Sequence, residues 1–109
     1  MSWNVKFLPE AQDDLFSLDK SQQKLVVKAI QKVKQNPLSS QEGGYGKPLG
    51  NKRANKLSGF LKIKLRSAGI RVVYQPIKTE SEMLIIIIGV REDNEVYEVA
   101  GKRIKKHKL

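Results

Sequence analysis

In the stretch Lys62-Ile63-Lys64-Leu65-Arg66 cation and aliphatic residue alternate at the period of a β-strand, and a further cation, Arg71, follows closely. Successive side chains of an extended segment point to opposite faces. Lys62, Lys64 and Arg66 therefore share one face, about 6 to 7 Å apart, while Leu61, Ile63 and Leu65 share the other. Like charges in a row repel, and a folded chain keeps such a row where a polyanion or a developing negative charge meets it. The chemistry that suits these residues is phosphate binding and transfer at phosphorus.

The charge distribution points the same way. The chain has 21 Lys and Arg against 11 Asp and Glu, a formal net charge of +10. Nine of the cations, Lys47, Lys52, Arg53, Lys56, Lys62, Lys64, Arg66, Arg71 and Lys78, lie between Glu42 and Glu80, an interval that contains no acid. This is the electrostatic footprint of a nucleic-acid ligand, with salt-sensitive binding as its consequence. Arg66, Lys52, Arg53 and Lys56 are the RNA-binding candidates beside the strand's own lysines. A solvated basic surface is the plainer alternative, but it leaves the alternation with core residues unexplained.

If the ligand is RNA, a 2′-hydroxyl already stands next to each phosphate. Cleavage then needs only a base for its proton, positive charge for the crowded phosphorane and stabilisation of the leaving oxygen. The basic segment holds no carboxylate pair and no His/Cys cluster, so no metal ligands and no cofactor are expected. The one histidine, His107, falls in the basic tail 102–109 and is expected to be solvated.

Several elements must position these cations. Trp3, Val5 and Phe7 alternate with polar residues in a first strand. Pro9 opens a helix with Ala11, Leu15 and Leu18 on its apolar stripe. Asp19 and Gln22 form a capping box for a second helix, whose Val26, Ala29, Ile30 and Val33 face inward until Asn36-Pro37. Three strands follow, Phe60–Arg66, Ile70–Ile77 and Met83–Val90, joined by short turns as antiparallel hairpins. The unbroken apolar run from Leu84 to Ile88 predicts a central strand covered on both faces. A last helix from Asp93 or Asn94 carries Val96, Val99, Ala100 and Ile104 on one side. The expected fold is α+β, in the order β-α-α-β-β-β-α. An antiparallel sheet of about four strands is packed by an N-terminal helix hairpin and accompanied by a short C-terminal helix.

The 109 residues, 39% hydrophobic, suit one domain spanning 1–109. With no cysteine there is no disulfide framework, as in a reducing cytoplasm, and the longest apolar stretch is too short to cross a bilayer. A soluble cytoplasmic protein without a membrane partner is the expectation.

Phe60-Leu-Lys-Ile-Lys-Leu-Arg-Ser-Ala-Gly-Ile-Arg-Val-Val-Tyr-Gln75, followed by Ile88-Gly-Val-Arg-Glu-Asp-Asn-Glu-Val-Tyr97, resembles the RelE family of bacterial toxins, ribosome-dependent mRNA interferases of the RelE/ParE superfamily. The N-terminal strand and helix hairpin take part more loosely. The resemblance implies a catalytic set of Lys62, Lys64, Arg71, Arg91 and Tyr97, and cleavage of mRNA in the ribosomal A site by metal-independent 2′-hydroxyl attack. It also implies a RelB-like antitoxin that binds operator DNA together with the toxin. Lys64 is the candidate base, since cations around it disfavour its ammonium form. Lys62 and Arg71 would clamp the phosphate, with Arg91 at the leaving oxygen and Tyr97 stacking on or orienting a base. Two plainer readings stand beside these roles, lysines that shield a strand edge and a tyrosine that merely packs. Tyr74 and Trp3 are expected to be packing residues. A non-catalytic ParE-like toxin or binding module on the same scaffold is the alternative function. The tail after Ile104 and the loop 41–51 match no motif of the family.

Overall fold

Local signals in the chain set most of the element boundaries. The protein is described here by a computed structural model covering residues 3–49, 57, 59–90 and 93–109. Its elements are β1 (Asn4–Phe7), α1 (Pro9–Phe16), α2 (Lys20–Val33), β2 (Lys47–Pro48), β3 (Leu61–Leu65), β4 (Ile70–Ile77), β5 (Glu82–Gly89) and α3 (Asp93–Lys106). Pro9 opens α1, where a missing N–H is no loss. At the start of α2, Asp19 accepts from the backbone N–H of Gln22 at 2.8 Å, and the Gln22 side chain accepts from the backbone N–H of Asp19 at 3.4 Å. Two otherwise orphaned donors are thereby satisfied. Hydrogen bonds from Ser21 and from the Gln22 N–H also hold the Asp19 carboxyl below its ordinary range.

The five strands lie in the order β1-β5-β4-β3-β2, an α+β sheet that is antiparallel except where β1 runs parallel to β5. The fifth strand, β2, is only two residues long and pairs Lys47 with Lys62. Its shortness and lack of alternation hide it from a sequence reading. β5 is the anchor. Met83 to Gly89 are all buried, and each large aliphatic side chain withdrawn from water contributes about 1.5–3 kcal/mol.

Helices cover both sheet faces. The Tyr74 hydroxyl donates to the carbonyl of Pro37, just beyond α2, at 2.7 Å. This puts the helix hairpin on the face that carries Leu61, Ile63 and Tyr74. Tyr74 is fully buried, as expected, and burial raises its hydroxyl's pKa. Helix α3 lies on the opposite face. A Cβ added at Gly89 would come within 2.8 Å of the Val96 Cγ2, so this glycine is what lets α3 approach the end of β5.

One sequence expectation is corrected at the C-terminus. The segment 102–109 is not a free tail: α3 continues to Lys106. There Lys106 Nζ lies 3.2 Å from the Glu10 carboxylate, and His107 Nε2 lies 3.0 Å from both of its oxygens. His107 is half-buried rather than solvated. Hydrogen bonds from His107, from the Glu10 backbone N–H and from Lys106 hold the Glu10 carboxyl down from 4.5 to about 2. Among the described residues no helix is long and apolar enough to cross a membrane.

Candidate active site

The alternation in β3 does what its period requires. Leu61 and Ile63 are buried at 4% and 9% exposure, which turns Lys62 and Lys64 to the other face, where both are half-buried. Register supplies the next contact. Lys64 pairs directly with Arg71 on β4, and Arg71 pairs with Gly89 on β5. Directly opposed residues hold their Cβ atoms about 4.5–5.5 Å apart on one face, so two cations are forced together across neighbouring strands. One row deeper, Lys62 is opposite Val73, and Val73 is opposite Ile87. The register shifts between Val73 and Tyr74, leaving Ile86 as the extra residue of β5. Bulges of this kind re-aim side chains beside functional sites.

Tyr97, from α3, closes the row. Lys62 Nζ donates to its hydroxyl at 3.2 Å and sits 5.8 Å from its ring centroid, within cation–π range. Tyr97 is only 5% exposed. The ring is thus packed against the sheet and holds the Lys62 ammonium, rather than lying open for a base to stack on it.

The turn between β3 and β4 finishes the site. Gly69, at φ 65°, caps the tight turn Arg66–Ala68 in a left-handed conformation that glycine adopts without strain. Its carbonyl accepts a long, 3.4 Å contact from Arg71 Nη1. Between the strand ends lies a cleft of about 230 Å³ lined by Lys64, Leu65, Arg66, Gly69, Ile70 and Arg71. Arg66, a binding candidate from the sequence, therefore shares a cleft with two of the catalytic candidates. A cleft with three cationic walls is suited to a phosphate group and to the charge that builds on it during transfer. Arg91, Lys52, Arg53 and Lys56 lie outside the described residues. Among the described residues no three His, Cys, Asp or Glu side chains converge in a way that could hold a metal ion.

One functional-looking cluster had no signal in the sequence. Beyond Phe7, where β1 ends, the outer edge of β5 is met by side chains instead of by a strand. Asp14 of α1 accepts from the Ile88 N–H at 3.1 Å, and Arg103 of α3 donates to the Ile86 carbonyl at 3.0 Å. The two also pair bidentately, at 2.6 and 3.2 Å. The ion pair stands in for the missing strand and ties α1 to α3, so its part is structural.

The fold and the cationic face of the sheet define a class of protein that comparison with known families names. Residues 5–97 match the family described as ParE toxin of type II toxin-antitoxin system, parDE. In Escherichia coli K12, the protein named mRNA interferase toxin RelE is 52% identical over 54 residues, 47% of this chain and 57% of that protein. Among solved structures, a mutant of the E. coli toxin RelE in the free state superposes with a TM-score of 0.72 at 29% identity, covering 95% of this chain and 99% of that one. The intact E. coli RelBE toxin–antitoxin complex gives 0.65 at 25% identity, over 84% and 99%. The chain belongs to the RelE family of the RelE/ParE superfamily, the toxins of type II toxin–antitoxin systems.

Proposed function

We propose that this toxin is an endoribonuclease that cleaves mRNA in the ribosomal A site, without a metal ion, by attack of a ribose 2′-hydroxyl on the adjacent phosphate. The observation that carries the reading is the row on the sheet face: Lys64 directly opposite Arg71, with Lys62 beside them held by Tyr97. Lys64 takes the 2′-hydroxyl proton. Lys62 and Arg71 neutralise charge on the phosphorane, Arg71 with a fork able to hold two oxygens. Arg91 stabilises the departing 5′-oxygen; a guanidinium keeps its proton, so charge rather than proton transfer is its contribution. Tyr97 positions Lys62, and Arg66 with Lys52, Arg53 and Lys56 draws the RNA backbone toward the cleft.

Support comes from the relative named as an mRNA interferase and from the retention of lysine, lysine and arginine on one face. A RelB-like antitoxin is the proposed partner, from the likeness to the RelBE complex. Operator DNA would be contacted only through that complex. The proposed setting is the cytoplasm, and residues 1–109 the functional unit.

Controlled expression with primer-extension mapping of mRNA ends, with and without translation, tests the reading. Cuts confined to translated codons are expected, and a 2′-deoxy substitution at the scissile nucleotide should abolish them while sparing binding. Toxicity without any cut would favour the non-catalytic ParE-like mode of action, and cut DNA would contradict 2′-hydroxyl attack.

A further inference from the structure

A second basic surface lies on α2, away from the site. Lys20, Lys24, Lys28 and Lys32 recur at every fourth position, and the helix contains no acidic residue. At 1.5 Å rise per residue they stand about 6 Å apart along the axis, in a row that drifts by about 40° per step. The same geometry centres the row about 180° from Val26, Ile30 and Val33, the buried residues of the helix. All four lysines are exposed. Among the described residues none of the four has an ion-pair partner.

Helix energetics oppose this arrangement. Three successive i,i+4 pairs are of like charge, and Lys20 occupies the first turn, at the positive end of the dipole. Stability alone would place acids there. At the far end Lys32 Nζ sits 5.6 Å over the ring of Tyr45, whose side chain is itself largely exposed. A regular row of cations ending on an aromatic ring suits a sugar–phosphate backbone, which offers evenly repeated charge and faces for stacking. It does not suit a protein partner, since the centre of such an interface is depleted of lysine. Nor does it suit insertion into a lipid surface, because Val26, Ile30 and Val33 of α2 are buried in the fold and the exposed Leu25 and Val27 lie apart, on either side of the lysine row.

We infer that the stripe Lys20, Lys24, Lys28 and Lys32 is a second nucleic-acid surface, which docks on the phosphate backbone of structured ribosomal RNA. It lies on the helix-hairpin side of the sheet, opposite the Lys62, Lys64 and Arg71 face. The toxin is thus built to sit between two RNA elements, its substrate on one side and its scaffold on the other. The inference rests on the ribosome-directed reading above and assigns it a docking surface.

The test is sedimentation of the full chain with salt-washed ribosomes across a salt series, comparing wild type with the quadruple variant K20Q/K24Q/K28Q/K32Q. Glutamine is nearly as good a helix former as lysine, and an unchanged thermal melt checks the fold. Affinity should fall by about 10- to 100-fold near physiological salt. The slope of log K against log salt should lessen by about 2 to 4, as expected for three to four lost phosphate contacts. Cleavage per bound toxin at saturating ribosomes should be unchanged. Equal affinity and slope for the two proteins would overturn the inference, as would absence of ribosome binding by the wild type. Loss of antitoxin binding with ribosome binding intact would give the stripe to a protein partner and overturn it as well. Wild type that binds ribosomes but never cuts mRNA would instead count against the nuclease reading, leaving the docking surface to be judged by affinity alone.

Discussion

Where α1 meets α3, cations are answered by carboxylates, Arg103 by Asp14 and Lys106 by Glu10. On the face of β3 and β4 that α3 covers, cation stands opposite cation, Lys64 against Arg71, and Lys62 donates to the hydroxyl of Tyr97. The two regions use the same residue types for opposite ends. Pairing at the seam lets charge serve the fold, since a partly buried guanidinium is tolerable only with its hydrogen bonds and counter-charge satisfied. On the sheet face the strand register itself sets like charges directly opposite one another, an arrangement that costs some stability. A residue's chemistry is thus decided less by its type than by what the fold sets opposite it.

The contrast yields tests in descending size. Lys64→Ala should lower single-turnover cleavage on programmed ribosomes by about 10² to 10⁴, the contribution of a positioned base, with an unchanged melting curve. Undiminished cleavage would remove Lys64 from the mechanism. At the seam the signs reverse. Arg103→Ala should destabilise the protein by about 2–3 kcal/mol in chemical denaturation, because it leaves the partly buried Asp14 carboxylate without its counter-charge and the Ile86 carbonyl without its donor. A normal stability would show that the seam is dispensable.

Tyr97→Phe tests a contact that joins the two regions, since α3 is docked by the seam and supplies the hydroxyl to Lys62. We expect kcat to fall by about 3- to 10-fold with little change in KM and none in the melting curve, as for loss of one hydrogen bond to a charged group. A change in KM alone would point to substrate contact instead of positioning. The smallest effect belongs to Glu10. Its pKa is lowered from 4.5 in the unfolded chain to about 2, so the folded state is favoured above about pH 4.5 and the contribution is lost as pH falls toward 2. Hydrogen exchange at the end of α3 should rise across that window, and Glu10→Gln should flatten the dependence. A profile unaltered by the substitution would separate Glu10 from the docking of α3.

Much of this was legible in the chain because it is local. The capping box at Asp19 and Gln22, the stop before Pro37, the period-two alternation of β3 and the apolar run of β5 each follow from neighbours within a few residues. The structure has each element where those signals place it. The opposition of Lys64 and Arg71 follows almost as directly, because the short turn Arg66–Gly69 fixes the register of the hairpin.

Distance in sequence marks where that legibility ends. The Lys62–Tyr97 contact spans 35 positions and the Asp14–Arg103 pair spans 89. Neither has a periodicity to betray it, and His107 looked solvated for the same reason. The two-residue β2 and the parallel pairing of β1 with β5 likewise depend on which edges the rest of the sheet leaves open. The sequence by itself determined the four longer strands and where the helices begin, which face of β3 is charged, and that the charge is concentrated. Only the tertiary structure decided that Asp14 meets Arg103, that Glu10 meets Lys106 and His107, and that Tyr97 reaches Lys62, because those contacts depend on the packing of helices α1 and α3 around an edge that no local pattern encodes.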